Sequence, residues 1–276
     1  MERARHARDH RRYLRLRGWK LSRFRDRLSS TAAALVGRLG GMTAVVTGAA
    51  RGLGRAVARS YAREGATLFL CDRIPIEDPA LEVARQFDVD LGEREACARF
   101  VNDVLAEAGT IDVLVNNAAI LKMSSYDEVT DAVWDETIAT NLTAPFLLCR
   151  GFLPAMLEAG GSIINVSSRA GVLGFEKETA YCASKFGIEG LTRAIAADLK
   201  GTQVSINSIT PGVRIKPTMM TDDEESAVPL GARVWQDADA IANAFVLLAL
   251  ARGNPTGKRF EADKLSEEWE RQGWIT

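Results

Sequence analysis

From residue 42 onward the chain alternates short apolar runs with longer amphipathic stretches, and nothing else in it narrows the fold as far. The runs "MTAVVTG", "ATLFLCD", "QFDVD", "IDVLVNNAA", "GSIINVSS", "VSINSITPG" and "GKRFEAD" have the length of strands. Segments of helical length separate them, including 52–65, 93–109, 131–159, 180–200 and 237–252. Near-continuous apolar strands with helices between them imply a parallel sheet covered on both faces. The fold class is therefore α/β, a doubly wound parallel sheet in one domain. Such a sheet takes its ligand at the carboxyl ends of its strands.

Composition excludes several other classes. Apolar residues are 47% and charged residues 26% of the 276, the balance of an ordinary globule. Cys71, Cys97, Cys149 and Cys182 are widely spaced with no CxxC pair, and the only histidines are His6 and His10. That argues against a metal site and a disulfide framework and fits a reducing, cytoplasmic setting. No apolar run reaches about 18 residues, so no transmembrane segment is expected.

The net charge of −1 conceals an asymmetry, because residues 1–41 carry +9 and the remainder −10. In the first segment Leu14, Leu21, Leu28 and Leu35 recur every seven residues, with Phe24 on the same side and Gly18 interrupting. Residues 1–41 are a basic amphipathic or disordered N-terminal extension to a domain at 42–276. Two readings stay open. The segment is a helix for peripheral association with an anionic surface or a partner subunit, or it is a solvated appendage upstream of Met42. Targeting segments are arginine-rich and acid-poor, and Asp9 and Asp26 depart from that pattern. Nucleic acid is not an expected partner, since the body is acidic.

The first strand runs directly into "TGAARGLG", residues 47–54. Gly48, Gly52 and Gly54 permit a tight turn, close backbone approach to a pyrophosphate and close helix–strand contact. The following helix, opening at Arg51-Gly52-Leu53-Gly54, presents free N–H groups to phosphates. Asp72 ends the second strand, 24 residues beyond Gly48. A carboxylate there accepts hydrogen bonds from an adenosine ribose and repels a 2′-phosphate, which favours NAD. Arg51 and Arg73 could pair with a 2′-phosphate, so NADP stays as the alternative. Further on, "AYCASKFG" sets Tyr181 and Lys185 one helical turn apart.

Taken in order, these motifs resemble the short-chain dehydrogenase/reductase family, single-domain Rossmann-fold type, from Gly41 to about Asp263. The resemblance is carried by Thr47 to Gly54, Asp88-Val89, Asn116-Asn117-Ala118-Ala119, Asn141, Ser167-Ser168, Tyr181 with Lys185, and Pro211-Gly212. It implies that Tyr181 is the general acid/base toward a carbonyl or hydroxyl oxygen. Lys185 would stabilise the phenolate and bind the nicotinamide ribose. The unperturbed phenol pKa of about 10 should therefore be lowered by the neighbouring ammonium. Ser168, 13 residues before Tyr181, would stabilise charge on the reacting oxygen. Asn141 would help hold a proton-relay water near the lysine. The resemblance also assigns Asp88 and Val89 to the adenine, Asn116, Asn117 and Ala118 to the cofactor groove, and Pro211-Gly212-Val213 to the nicotinamide loop. The cofactor carries the hydride, and the protein orients it and moves the proton.

The chain departs from the family in three places. Lys216 stands where a threonine often touches the carboxamide, with Thr218 as a substitute after a local shift. The lid segment after Pro217 is short and carries the acidic residues 221–225. The tail "ADKLSEEWERQGWIT" keeps Asp263 without the following glycines, which leaves its contribution to a dimer or tetramer open, with Trp269 and Trp274 free to bury.

The expected activity is that of an NAD(P)-dependent oxidoreductase on a small-molecule secondary alcohol or ketone, in a homo-oligomer. Leu121, Met123, Leu173 and Phe175 would line an apolar pocket. The alternative is a catalytically silent dinucleotide-binding sensor or scaffold protein, which the complete residue set disfavours.

Overall fold

Side chains of every apolar run divide between two layers, because successive residues of a strand point to opposite faces. Ala44 and Val46 enter one buried cluster while Val45, between them, enters the other. The computed structural model describes residues 37–216, 227–228 and 235–271. Within them lies a seven-stranded sheet: β1 (Thr43–Thr47), β2 (Thr67–Asp72), β3 (Arg85–Asp88), β4 (Val113–Asn116), β5 (Gly161–Val166), β6 (Val204–Thr210) and β7 (Arg259–Glu261). The order is β3-β2-β1-β4-β5-β6-β7, and all pairings are parallel. The chain winds outward from β1 to one edge and then from β4 to the other. The crevice between the carboxyl ends of β1 and β4 is thus the point where the winding reverses.

The helices are α1 (Gly52–Arg63), α2 (Arg94–Ala108), α3 (Asp131–Ile138), α4 (Ala144–Ala159), α5 (Thr179–Asp198), α6 (Asp239–Ala249) and α7 (Ala262–Arg271). On one face α1 packs against α6, where the buried Tyr61 donates its hydroxyl to the Phe245 carbonyl at 2.9 Å. On the other face α2 packs against α4. There Phe87, Phe100 and Phe152 meet edge to face at 5.3 and 6.3 Å between centroids.

All seven strand runs and the five intervening helical stretches are present, with three differences. The 131–159 stretch is not one regular helix. Ala139–Thr143 forms a π-helical turn between α3 and α4, a local widening that often accompanies functional sites. The stretch Asp131–Ala159 is long and apolar enough to cross a membrane by length and composition. It packs Leu148, Phe152 and Met156 against the sheet instead, as a core helix does.

The residues from Ala262 form α7, a helix not among the expected stretches, since Ala262 and Leu265 recur on the face turned to α6. The Trp269 side chain and Trp274 lie outside the described residues.

The fold also begins before Met42. Leu39 is fully buried, its N–H donates to the Glu64 carbonyl at 2.8 Å, and Arg38 pairs with the Glu64 carboxylate. Residues 37–41 therefore belong to the packed body, whereas the leucine repeat at 14–35 lies outside the described residues.

Tyr61→Phe should lower the unfolding free energy by about 1 kcal/mol, because the Phe245 carbonyl loses a buried donor. Urea denaturation checks this, and an unchanged midpoint would show that the bond contributes nothing net.

Candidate active site

At the β1–β4 crevice the backbone must pass very close to itself, and the glycines make that possible. Gly48 has φ +67°, and a Cβ on it would sit 2.8 Å from Ala118 Cα and 2.9 Å from Asn117 Nδ2. A Cβ on Gly54 would overlap the Gly48 carbonyl oxygen and the same amide nitrogen. Gly52 also takes positive φ, at +57°.

Asn117 fastens the turn by donating from Nδ2 to the carbonyls of Thr47 at 2.8 Å and Gly48 at 3.1 Å. Thr47 Oγ1 accepts from the N–H groups of Asn117 and Ala118, each at 3.0 Å, and donates to the Val115 carbonyl. Thr47 was quoted in the motif without a role, and its role is to tie β1 to the loop after β4. Arg51 stands as the extended residue at the head of α1, and Leu53 is buried beneath it. Asp72 Oδ2 accepts from Ala50 N–H at 3.0 Å, and Oδ1 accepts from Arg73 N–H at 2.8 Å. The acid therefore sits against the glycine turn. Arg73 reaches Glu136 at 3.8 Å, and Glu136 also pairs with Lys122.

The candidate catalytic residues converge one strand over. Ser168 follows β5 and heads a short turn, Arg169–Gly171, with its Oγ accepting from Ala170 N–H at 3.1 Å. Its side chain lies close enough to Tyr181 to favour the ionised phenol. Lys185, 3% exposed, lies one turn after Tyr181 on α5 with Nζ 5.5 Å from the phenol ring centroid. Its ammonium donates to the Val166 carbonyl at the end of β5, at 2.9 Å.

Asn141 joins the two halves of the site. Placed at the π-helical turn, it accepts from Ile120 N–H at 2.8 Å and donates to the Ile120 carbonyl and to Ser184 Oγ, at 2.9 and 3.1 Å. Ser184 in turn donates to the Tyr181 carbonyl at 2.7 Å. The loop that starts at Asn117 is thereby linked to the helix that carries Tyr181.

The remaining expected residues fall at several depths. Asp88 is exposed and Val89 buried at the end of β3, where Val89 N–H donates to the Asp72 carbonyl. Asn116 is turned into the sheet, donating to Asn165 Oδ1 at 2.8 Å, so its side chain serves the core. Gly212 has φ +80°, and a Cβ there would overlap the Asp263 carboxylate. Pro211 accepts from Asp263 N–H, and Val213 packs on the core.

Leu121 and Met123 are largely exposed on the loop after Ile120, and Phe175 stacks under the Arg169 guanidinium. A bridge between Ser124 and Glu178 brings the two loops together. Lys216 donates its backbone N–H to Gln236, while Thr218 and residues 221–225 lie outside the described residues.

The expected lowering of the Tyr181 phenol is not found. Burial pushes it above its ordinary value, the Ser168 side chain opposes that, and Glu178 and Cys182 add to the rise. Lys185 stands over the ring face with one donor on the Val166 carbonyl, and desolvation of the phenol is the largest cause of its shift. Burial also holds Lys185 down to about 8, with Glu189 acting to raise it.

An exposed lysine titrates near about 10.4. Between about 8 and that value the unfolded chain binds more protons than the folded one, so this group's contribution to stability rises with pH. Lys185→Met should accordingly be most favoured over wild type below pH 8 and lose that advantage toward pH 10. Urea midpoints at both ends of the window check it, and a constant difference would count against a buried, titrating amine.

Comparison with known proteins agrees with this geometry. The family model described as short chain dehydrogenase matches residues 42–228. The D-threitol dehydrogenase of Mycolicibacterium smegmatis is 38% identical over 185 residues, covering 64% of this chain and 71% of that one. The trans-4-hydroxycyclohexanecarboxylate dehydrogenase of Sinomonas cyclohexanicum is 35% identical over 229 residues, covering 78% and 87%. Among solved structures, a metagenomic short-chain oxidoreductase in complex with NADP superposes with a TM-score of 0.69 at 35% identity, covering 81% of this chain and 96% of that one. The carveol dehydrogenase of Mycobacterium avium in complex with NAD gives 0.69 at 27%, covering 82% and 96%. With two thirds of its length matched by that family model, and with the glycine turn and the Ser168, Tyr181 and Lys185 cluster at adjoining strand ends, the chain belongs to the short-chain dehydrogenase family.

Proposed function

We propose that this chain is an NAD(P)-dependent oxidoreductase acting on a secondary alcohol or ketone, with Tyr181 as general acid/base. The observation that carries the reading is the meeting of Ser168, Tyr181 and Lys185 beside the β1–β4 crevice. The residues at that crevice fit a dinucleotide. Gly48 and Gly54 let the turn close against Asn117 and Ala118, α1 presents its N-terminus there, and Asp72, which accepts from Ala50 N–H in that turn, would meet the adenosine ribose. When bound, the nicotinamide supplies or accepts the hydride.

The protein's own groups do the rest. Tyr181 passes a proton to or from the substrate oxygen, and Ser168 donates a hydrogen bond to that oxygen as charge develops on it. Lys185 holds positive charge beside the ring. Asn141 and Ser184 fix the helix that carries both. A raised Tyr181 pKa favours the protonated phenol near neutrality, the form needed for ketone reduction.

Asp72 supports NAD, with NADP as the alternative, because Arg73 is partly engaged by Glu136. The relatives named for polyol and cyclic alcohol substrates support a hydroxyl-bearing small molecule. Residues 42–276 form the dehydrogenase unit, entered through the packed turn at 37–41, with the preceding basic segment as an extension. A homo-oligomer is supported by Trp134, Phe146 and Leu157, which stay exposed along α3 and α4. A reducing, cytoplasmic setting is supported by four free cysteines, three of them buried.

Tyr181→Phe should lower turnover by about 10²–10⁴-fold while leaving NADH binding within a few-fold of wild type. A panel of polyols, cyclic alcohols and their ketones, assayed with NAD and NADP, reads turnover. Fluorescence titration reads binding. Near-wild-type activity in the variant would overturn the assignment.

A further inference from the structure

Beneath the Ser168, Tyr181 and Lys185 cluster lies a charged network that the reaction as described does not use. Glu189, 2% exposed, sits one turn beyond Lys185 on α5. Its Oε1 pairs with Arg259 Nη1, from β7, and its Oε2 accepts from Ser208 Oγ of β6 at 3.0 Å. A carboxylate buried this deeply requires a close cation. Arg193, the other cation in reach, is mostly exposed and stands 3.5 Å away on the same helix. Arg259 is the inner partner.

The same guanidinium grips the backbone that carries the candidate catalytic serine. Arg259 Nη2 donates to the Ser168 carbonyl at 3.0 Å, and Nη1 donates to Ser167 Oγ at 3.3 Å. Gly171 N–H donates to that Ser168 carbonyl at 3.0 Å, closing the turn. The turn lies hard against α5. A Cβ on Gly171 would meet Ser167 Oγ at 2.8 Å, the Lys185 carbonyl at 2.9 Å and Glu189 Cγ at 3.1 Å. The planar guanidinium fork presents donors to a carboxylate, a hydroxyl and a carbonyl at once in a fixed geometry.

We propose that Arg259 is a positioning residue for Ser168, bridging its peptide to the buried Glu189 carboxylate so that strand β7 sets where the serine hydroxyl meets Tyr181. The proposal rests on the reading of Ser168 as a catalytic residue. Arg259 touches neither substrate nor reacting atoms, so it acts through the groups it holds, the Ser168 peptide and the Glu189 carboxylate. The groups around the network are Lys185, on which Glu189 acts, Arg193 and Ser208.

The test is a double-mutant cycle read by single-turnover kinetics on the full chain. Arg259→Met alone would strand a buried carboxylate, so the network is removed as the pair Glu189→Gln with Arg259→Met. The pair should lower the hydride-transfer rate by about tenfold to a hundredfold, the scale of a small misplacement, and leave the NADH dissociation constant within about twofold. In a Ser168→Ala background the same pair should cost less than about threefold, because the group it positions is gone. Equal factors in both backgrounds would overturn the proposal, as would loss confined to nucleotide affinity. A wild-type chain that binds NADH yet converts no alcohol or ketone overturns the functional reading, and this proposal with it. Active wild type with multiplying losses overturns this proposal alone.

Discussion

The backbone crossing at the β1–β4 switch point is the constraint on which the rest of the molecule depends. From these two parallel strands the winding leaves the centre of the sheet in opposite directions, and Asn117 and Thr47 lace their ends together with bonds of 2.8–3.1 Å. Because Gly48 and Gly54 carry no side chain, the lacing brings the loop after β4 into contact with the turn before α1. That fixes the crevice, and it fixes Ile120, three residues past Asn117. Through Asn141 and Ser184 the constraint passes to α5 and so to Tyr181.

Burial then decides the electrostatics of the site. A phenol and an ammonium one turn apart should attract in their charged forms, yet both are buried, and desolvation dominates each. The ammonium engages a backbone carbonyl, and the phenol lies beside Ser168. Glu189 and Arg259 add a second, deeper pair that is compensated within itself.

Much of this was legible in the residue order. The central strands β4, β5 and β6 follow most plainly from apolar runs of strand length, since a strand buried on both faces has no polar alternation to hide it. Tyr181 and Lys185 follow from helical spacing, which is a local rule. What was not legible was non-local. The π-helical turn at Ala139–Thr143 breaks a stretch whose composition reads as one helix. The helix α7 was not among the expected helices, although Ala262 and Leu265 carry the apolar spacing. Asn116 lies in the same short motif as Asn117, yet one side chain faces Asn165 in the core and the other faces the glycine turn. Alternation along an extended chain separates them, and only the sheet's position says which face is which.

The sequence by itself determined the doubly wound sheet, the glycine turn and the one-turn spacing of phenol and ammonium, because each rests on periodicity or on neighbours within a few residues. Tertiary structure alone decided that Leu39 joins the core, that burial is the largest cause of the shift at Tyr181, and that Arg259 reaches Ser168 across 91 positions. Those outcomes depend on which distant segments exclude water from a given atom, and no local pattern encodes that.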